Sequence, residues 1–174
     1  ELFGHWWFEG PQFLEQVFVQ GQTAGLSFST LRDHLSNQPQ LQVCRPSPSS
    51  WGQGGYHSYW LSSSNAWVVP EWHKACLAMV QAVQAPQRQS QQQQRMLQQA
   101  ARELLLAQSS DWSFILRAGT TTELARERIR RHLERFWRLL DGLKTGGQVD
   151  QRWLSAVEAE DALFPTIDPN NWRS

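Results

Sequence analysis

The chain has 174 residues, with 16 basic side chains balanced by 16 acidic ones, and ten tryptophans. That balance provides no overall field to attract nucleic acid or an anionic membrane surface, and no apolar run approaches the ~18–20 residues that span a bilayer. Ten indoles are more than a core of this size needs, so some of them are expected to be flat binding faces rather than buried anchors.

In chain order, the apolar, aromatic run Glu1 to Trp7 suits a buried strand end or an active-site loop. Gly10-Pro11 predicts a helix start, because an early Pro gives up an N–H that has no partner there anyway. Phe13, Leu14, Val17 and Phe18 recur at helical spacing, up to a stop at Gly21. Weak alternation predicts a short strand from Ala24 to Ser29. Ser29-Thr30-Leu31 opens a brief helix through Leu35, and Leu41 with Val43 predicts a second short strand.

Residues 46 to 65 are mostly Pro, Gly, Ser, Asn and aromatics, a composition that makes a long irregular loop. Asn65 then suits the cap of a helix carrying Trp67, Val68, Trp72, Ala75, Met79 and Val83, ended by Pro86. The Gln-rich stretch 87–99 is expected to be a solvated loop leading into an exposed helix face, with helix continuing to about Ala107. Asp111 to Leu116 forms a further short helix or turn. The clearest helix runs from Thr120 to Leu143, with Thr120-x-x-Glu123 as a capping box and an apolar stripe of Ala125, Ile129, Leu133, Phe136, Trp137 and Leu140. A last helix spans about Asp150 to Leu163. The composition break near residue 65 separates a domain of residues 1–65 from an all-helical one of residues 66–174.

The sharpest chemical signal is Ser49-Ser-Trp51-Gly-Gln-Gly-Gly-Tyr56-His57-Ser-Tyr59-Trp60. A sugar ring lays its C–H face on an indole while its hydroxyls need short polar partners. Trp51, Tyr56, Tyr59 and Trp60 can supply such platforms, and Ser49, Ser50, Gln53, His57 and Asn65 the hydrogen bonds. An aromatic mini-core pinning the loop fits the composition equally well. Cutting a glycosidic bond needs two carboxyl groups, roughly 5–5.5 Å apart in retaining enzymes. Of the first-half carboxylates only Glu1 and Glu9 flank the aromatic run, and they do not make a convincing catalytic pair. In the Arg-rich helix, Glu127 and Glu134 each stand four residues before an Arg, the spacing of a salt-bridged solvated face. His132 on that helix reads as structural, and Asp111 alone reads as a helix cap. Cys44 and Cys76 have no zinc or disulfide spacing and suit a reducing, cytoplasmic setting.

The run Glu1-Leu-Phe-Gly-His-Trp-Trp-Phe-Glu-Gly-Pro11 closely resembles the fourth signature region of glycoside hydrolase family 57 in the form carried by its α-1,4-glucan branching enzymes. Pro48-Ser-Ser-Trp51-Gly-x-Gly-Gly-Tyr-His with Trp60-Leu resembles their fifth region. Gln108-Ser-Ser-Asp-Trp-Ser-Phe-Ile115, and the Gly119-Thr-Thr-Thr segment with the Arg-rich helix after it, resemble their helical C-terminal part. The resemblance implies a mainly α chain: the end of a distorted (β/α)7 barrel with short strands and the long aromatic loop, followed by an all-helical C-terminal domain. It implies a retaining double displacement that ends in an α-1,6 branch. No catalytic residue falls within the chain, since the acid Asp is expected two positions before Glu1 and the nucleophilic Glu far upstream. The resemblance makes Trp51 and Trp60 substrate-stacking residues, Asp111 a sugar-hydroxyl contact, and His5, Trp6 and Trp7 the shapers of the acid's pocket. It implies neither metal nor organic cofactor. The implied partners are α-1,4-glucan (amylose, glycogen, maltooligosaccharides) and the rest of a parent chain, with no nucleic acid and no membrane. Another family-57 hydrolase or 4-α-glucanotransferase, or a non-catalytic glucan-binding module, are the alternative readings.

Overall fold

In the computed structural model, residues 3, 6–84, 90–146 and 149–173 are described. They divide into two compact units, Glu1–Ser47 and Pro48–Ser174.

The first unit holds helices α1 (Gly10–Thr23) and α2 (Leu31–Asn37). Pro11 lies in the opening turn of α1, as its fixed φ favours. Gly21 does not stop that helix. It lies inside the last turn, where the ring of Phe28 occupies the space a Cβ would need. Thr30 caps α2 through its side chain, which accepts from Asp33 N at 3.1 Å. The two expected strands do not form. Alternation sorts side chains between faces, but a strand exists only when a neighbouring segment takes up its N–H and C=O groups. Residues 24–29 and 41–43 have no such neighbour among the described residues, and Leu26 N–H turns back to Gly21 O at 2.8 Å. Only the two glycines Gly10 and Gly21 are buried among the unit's described residues. Phe13, Leu14, Val17, Phe18 and Leu31 remain exposed.

The second unit begins with the aromatic loop and continues as α3 (Val69–Gln84), α4 (Gln91–Ala107), α5 (Ser110–Ala118), α6 (Thr122–Lys144), α7 (Gln151–Glu160) and a closing 3-10 turn, Pro169–Trp172. Met96, Ala100, Leu104 and Ala107 of α4 face Ile129, Phe136, Leu139 and Leu140 of α6, with Met79 of α3 and Leu154 of α7 completing a continuous core. The apolar stripe foreseen for α6 is this buried face, with Trp137 half-buried at its margin. The Gln-rich stretch is less solvated than its composition implies. Ser90 and Gln93 form a reciprocal capping box at the start of α4, and Gln99 is fully enclosed. At the far end, Trp172 packs on the core and Arg173 Nε donates to Val83 O, the last turn of α3, at 3.0 Å. Among the described residues no helix is long and apolar enough to cross a membrane.

Candidate functional site

The aromatic loop is folded by its own short-range bonds. Ser50 Oγ donates to Tyr56 O and accepts from Gly52 N at 3.0 Å, while Ser50 N donates to Gly55 O at 2.8 Å. Gly54 and Gly55 have φ of 68° and 77°, a region side chains other than glycine seldom enter. A Cβ at Gly52 would come within 2.8 Å of both the Trp60 ring and Tyr56 O, so only glycine lets the loop close over that indole.

The rings gather around Phe114 of α5. Tyr59 stacks on it with centroids 4.8 Å apart and Trp51 at 6.1 Å, and Trp60 lies tilted to it at 6.4 Å. Trp51 meets Trp60 edge to face at 5.3 Å. Trp51 nevertheless remains 80 % exposed, and Trp60 is half-buried. Part of the aromatic group is therefore internal packing, chiefly Tyr59, while one large indole lies open to solvent. Tyr56 and His57 are also exposed.

Asn65 is neither a helix cap nor a surface hydrogen-bonding group. It is fully buried, accepts from Ser62 N at 2.8 Å, and donates to Tyr59 O at 2.9 Å and to Ser113 O at 3.2 Å. It therefore ties the loop to α5, and α3 begins only at Val69. Ser50 is likewise spent inside the loop. Asp111 does not cap α5 either. Ser109 holds the boundary position, and Asp111 is exposed in the first turn, where a negative charge complements the helix dipole. Ser109 Oγ donates to its Oδ2 at 3.1 Å.

In the first unit, Trp7 packs against Phe3 (5.8 Å) and Phe13 (5.1 Å) and is half-buried, and Trp6 is 72 % exposed. His5 lies outside the described residues. Phe114 was missed from the sequence, although a signal was present. It lies three positions after Asp111, on the same side of a helix, and apart from Trp112, Ile115 and Leu116, which turn to the core.

A second cluster of titratable groups sits inside the helical unit. His132 Nδ1 lies 2.7 Å from Glu103 Oε2, both groups essentially unexposed, and Gln99 donates to the other Glu103 oxygen at 2.8 Å. Asp161 completes a trio whose ligand-type atoms lie within 4.8 Å of one another. Arg135 already supplies the cation there, bonding Asp161 Oδ2 and Glu160 Oε2. Burial works against the charge on Arg135, but the bond to Glu160 and the charges of Glu103, Glu160 and Asp161 outweigh it and hold its pKa above the usual guanidinium value. The trio is thus part of a hydrogen-bonded and ion-paired network inside the helical unit. The i,i+4 pairs expected along α6 do not close among the described residues. Arg131 and Arg135 reach Glu160 and Asp161 at the end of α7, and Arg138 covers the Trp153 ring at 3.9 Å.

Residues 71–172 match the family described as "1,4-alpha-glucan branching enzyme, C-terminal". The 1,4-alpha-glucan branching enzyme of Thermococcus kodakarensis is 32 % identical over 171 residues, which cover 96 % of this chain and 25 % of that protein. A probable 1,4-alpha-glucan branching enzyme of Mycobacterium tuberculosis is 28 % identical over 179 residues, covering 97 % and 33 %. Among solved structures, the family-57-type branching enzyme of Pyrococcus horikoshii aligns with a TM-score of 0.80 at 34 % identity, covering 99 % of this chain and 33 % of the other. The α-amylase AmyC of Thermotoga maritima aligns with a TM-score of 0.73 at 33 % identity, covering 100 % and 32 %. The chain thus spans between a quarter and a third of the length of these relatives. With the greater part of its sequence matched to one family and its entire length aligned to these folds, the chain belongs to the branching enzymes of glycoside hydrolase family 57, as their C-terminal region.

Proposed function

We propose that this chain is the C-terminal third of a 1,4-α-glucan branching enzyme, in which residues 1–65 close the catalytic barrel and residues 66–174 form the helical C-terminal domain. Its task is to hold an α-1,4-glucan while carboxylates carried elsewhere in the enzyme perform the transfer. The nucleophilic Glu attacks the anomeric carbon, and an Asp two positions before Glu1 protonates the departing oxygen. The same Asp then takes the proton of an incoming 6-hydroxyl as that oxygen displaces the enzyme carboxylate, leaving an α-1,6 bond. Trp51 and Trp60 stack the glucan, Asp111 accepts from sugar hydroxyls, and His5, Trp6 and Trp7 shape the acid's pocket.

One observation carries this reading: Trp51 is held by ring contacts on Trp60 and Phe114 yet leaves 80 % of its surface to solvent, in a chain of this family. A ring-braced indole with its surface open in this way is suited to take the C–H face of a sugar. The unpaired thiols Cys44 and Cys76 fit a cytoplasmic enzyme of glycogen biosynthesis.

Amylose incubated with the full-length protein should lose iodine-staining intensity and gain α-1,6 linkages without a matching rise in reducing ends. The similarity to an α-amylase supports a second reading, hydrolysis. New reducing ends without branches would establish that one instead.

A further inference from the structure

We propose that Phe114, braced by Asn65, is the positioning residue that fixes the Trp51–Trp60 platform beside Asp111. This deepens the glucan-holding reading and rests on it. Three observations lead to it. Among the described residues, Phe114 is the one side chain whose ring meets Trp51, Tyr59 and Trp60 together, at 6.1, 4.8 and 6.4 Å. It is half-buried and stands outside the helical core, whose contacts on α5 are made by Trp112, Ile115 and Leu116. The backbone of the same turn is bonded to the loop, since buried Asn65 bridges Tyr59 O and Ser113 O. Asp111 and Phe114, three residues apart, therefore lie on one side of α5, and the carbonyl of Ser113 in the same turn anchors the loop.

The chemistry follows from what an exposed indole lacks. Trp51 has two free side-chain torsions, and its neighbours are Trp60, met edge-on, and Phe114, met nearly parallel with an interplanar angle of 24°. Without the parallel partner, each binding event must also order the indole, and affinity falls by the cost of that ordering. The stacking register between platform and carboxylate would be lost as well. A glucan bound slightly out of register is held more weakly while the chemical step, performed elsewhere, is largely untouched.

The test is Phe114→Leu in the full-length protein, compared with Phe114→Tyr and with Trp51→Ala. Kinetics on maltooligosaccharides, calorimetric binding of maltoheptaose and thermal melting are followed for each. Phe114→Leu should raise KM and Kd about tenfold, change kcat by less than about twofold, and leave Tm within a few degrees. Phe114→Tyr, which keeps the ring, should restore KM. A residue that merely supports the fold would lower Tm and the active fraction with KM unchanged, and that pattern overturns the proposal. So does wild-type KM in Phe114→Leu, or failure of Phe114→Tyr to rescue it. If Trp51→Ala weakens binding and Phe114→Leu does not, only this inference falls. If the wild-type protein binds no α-glucan, or Trp51→Ala binds as tightly as wild type, the underlying reading falls with it.

Discussion

At the scale of single residues, exposure separates Trp51 from the half-buried rings packed around it. Trp51 buries little of its own surface, so Trp51→Ala should barely alter the melting temperature. It should weaken maltooligosaccharide binding by about 1–3 kcal/mol, the loss of one stacked aromatic contact, as titration calorimetry would measure. Trp51 and Trp60 stand out in the sequence as indoles set among glycines and serines, where a binding platform and an aromatic mini-core fit equally well; the structure sets both rings against Phe114 and leaves Trp51 exposed. Asn65 was misread for a definite reason. Its side chain bonds a carbonyl 48 positions away on α5, and no local pattern encodes that. Asp111 looked like a cap because Asp just before an apolar helical run commonly is one, yet Ser109 takes the boundary and leaves the carboxylate exposed.

At the scale of elements, helical periodicity was a better guide than weak alternation, and end signals held at some helices, as with Pro11 and Thr30, but not at others. The apolar stripe of α6 could be read directly, since its spacing is dictated by the face it buries. The capping box expected at Thr120 and Glu123 is not made: Thr121 holds the boundary without a side-chain bond, and Glu123 lies 3.9 Å from Arg126. A true box forms at Ser90 and Gln93, inside a stretch whose glutamines read as low complexity. On α6, Arg131 and Arg135 reach partners at the end of α7, while Arg126 and Lys144 pair with neighbours three residues away on their own helix. Magnitudes indicate which of these contacts holds the bundle together. Phe136, fully enclosed between helices, should cost about 3–5 kcal/mol when truncated to Ala. A double-mutant cycle on Arg135 and Glu160, the latter 46 % exposed, should give a coupling of only about 0.2–1 kcal/mol that shrinks with added salt. Denaturant titrations of the four variants would decide it, and a coupling larger than the Phe136 loss would reverse this ranking.

At the scale of the molecule, the two units differ in what they bury. Among the described residues, the buried apolar side chains lie within residues 68–157, all in the second unit. A segment that buries almost no apolar side chain cannot offset the entropy of ordering its chain. A protein of residues 48–174 should therefore unfold cooperatively by circular dichroism, with a midpoint close to that of residues 1–174. Amides of α1 and α2 should exchange with solvent far faster than those of α4 and α6 in the longer chain. Equal protection in both units would contradict this division. The sequence placed its break near residue 65, where loop composition gives way to helix. The compact unit starts earlier, at Pro48, because ring stacking and the Asn65 bridge attach the loop to α5, and composition carries no trace of such contacts.

The closing turn bears on how the chain can be handled at the bench. Trp172 seals one flank of the bundle, and the guanidinium of Arg173 satisfies a carbonyl at the end of α3 and complements the negative pole there. Trimming the sequence at Asp168 to obtain a tidier sample would peel away that clasp, and fraying would start from the α3 terminus. An affinity handle fused directly behind Arg173 would pull on the same latch, whereas a flexible spacer ahead of the handle would leave it shut.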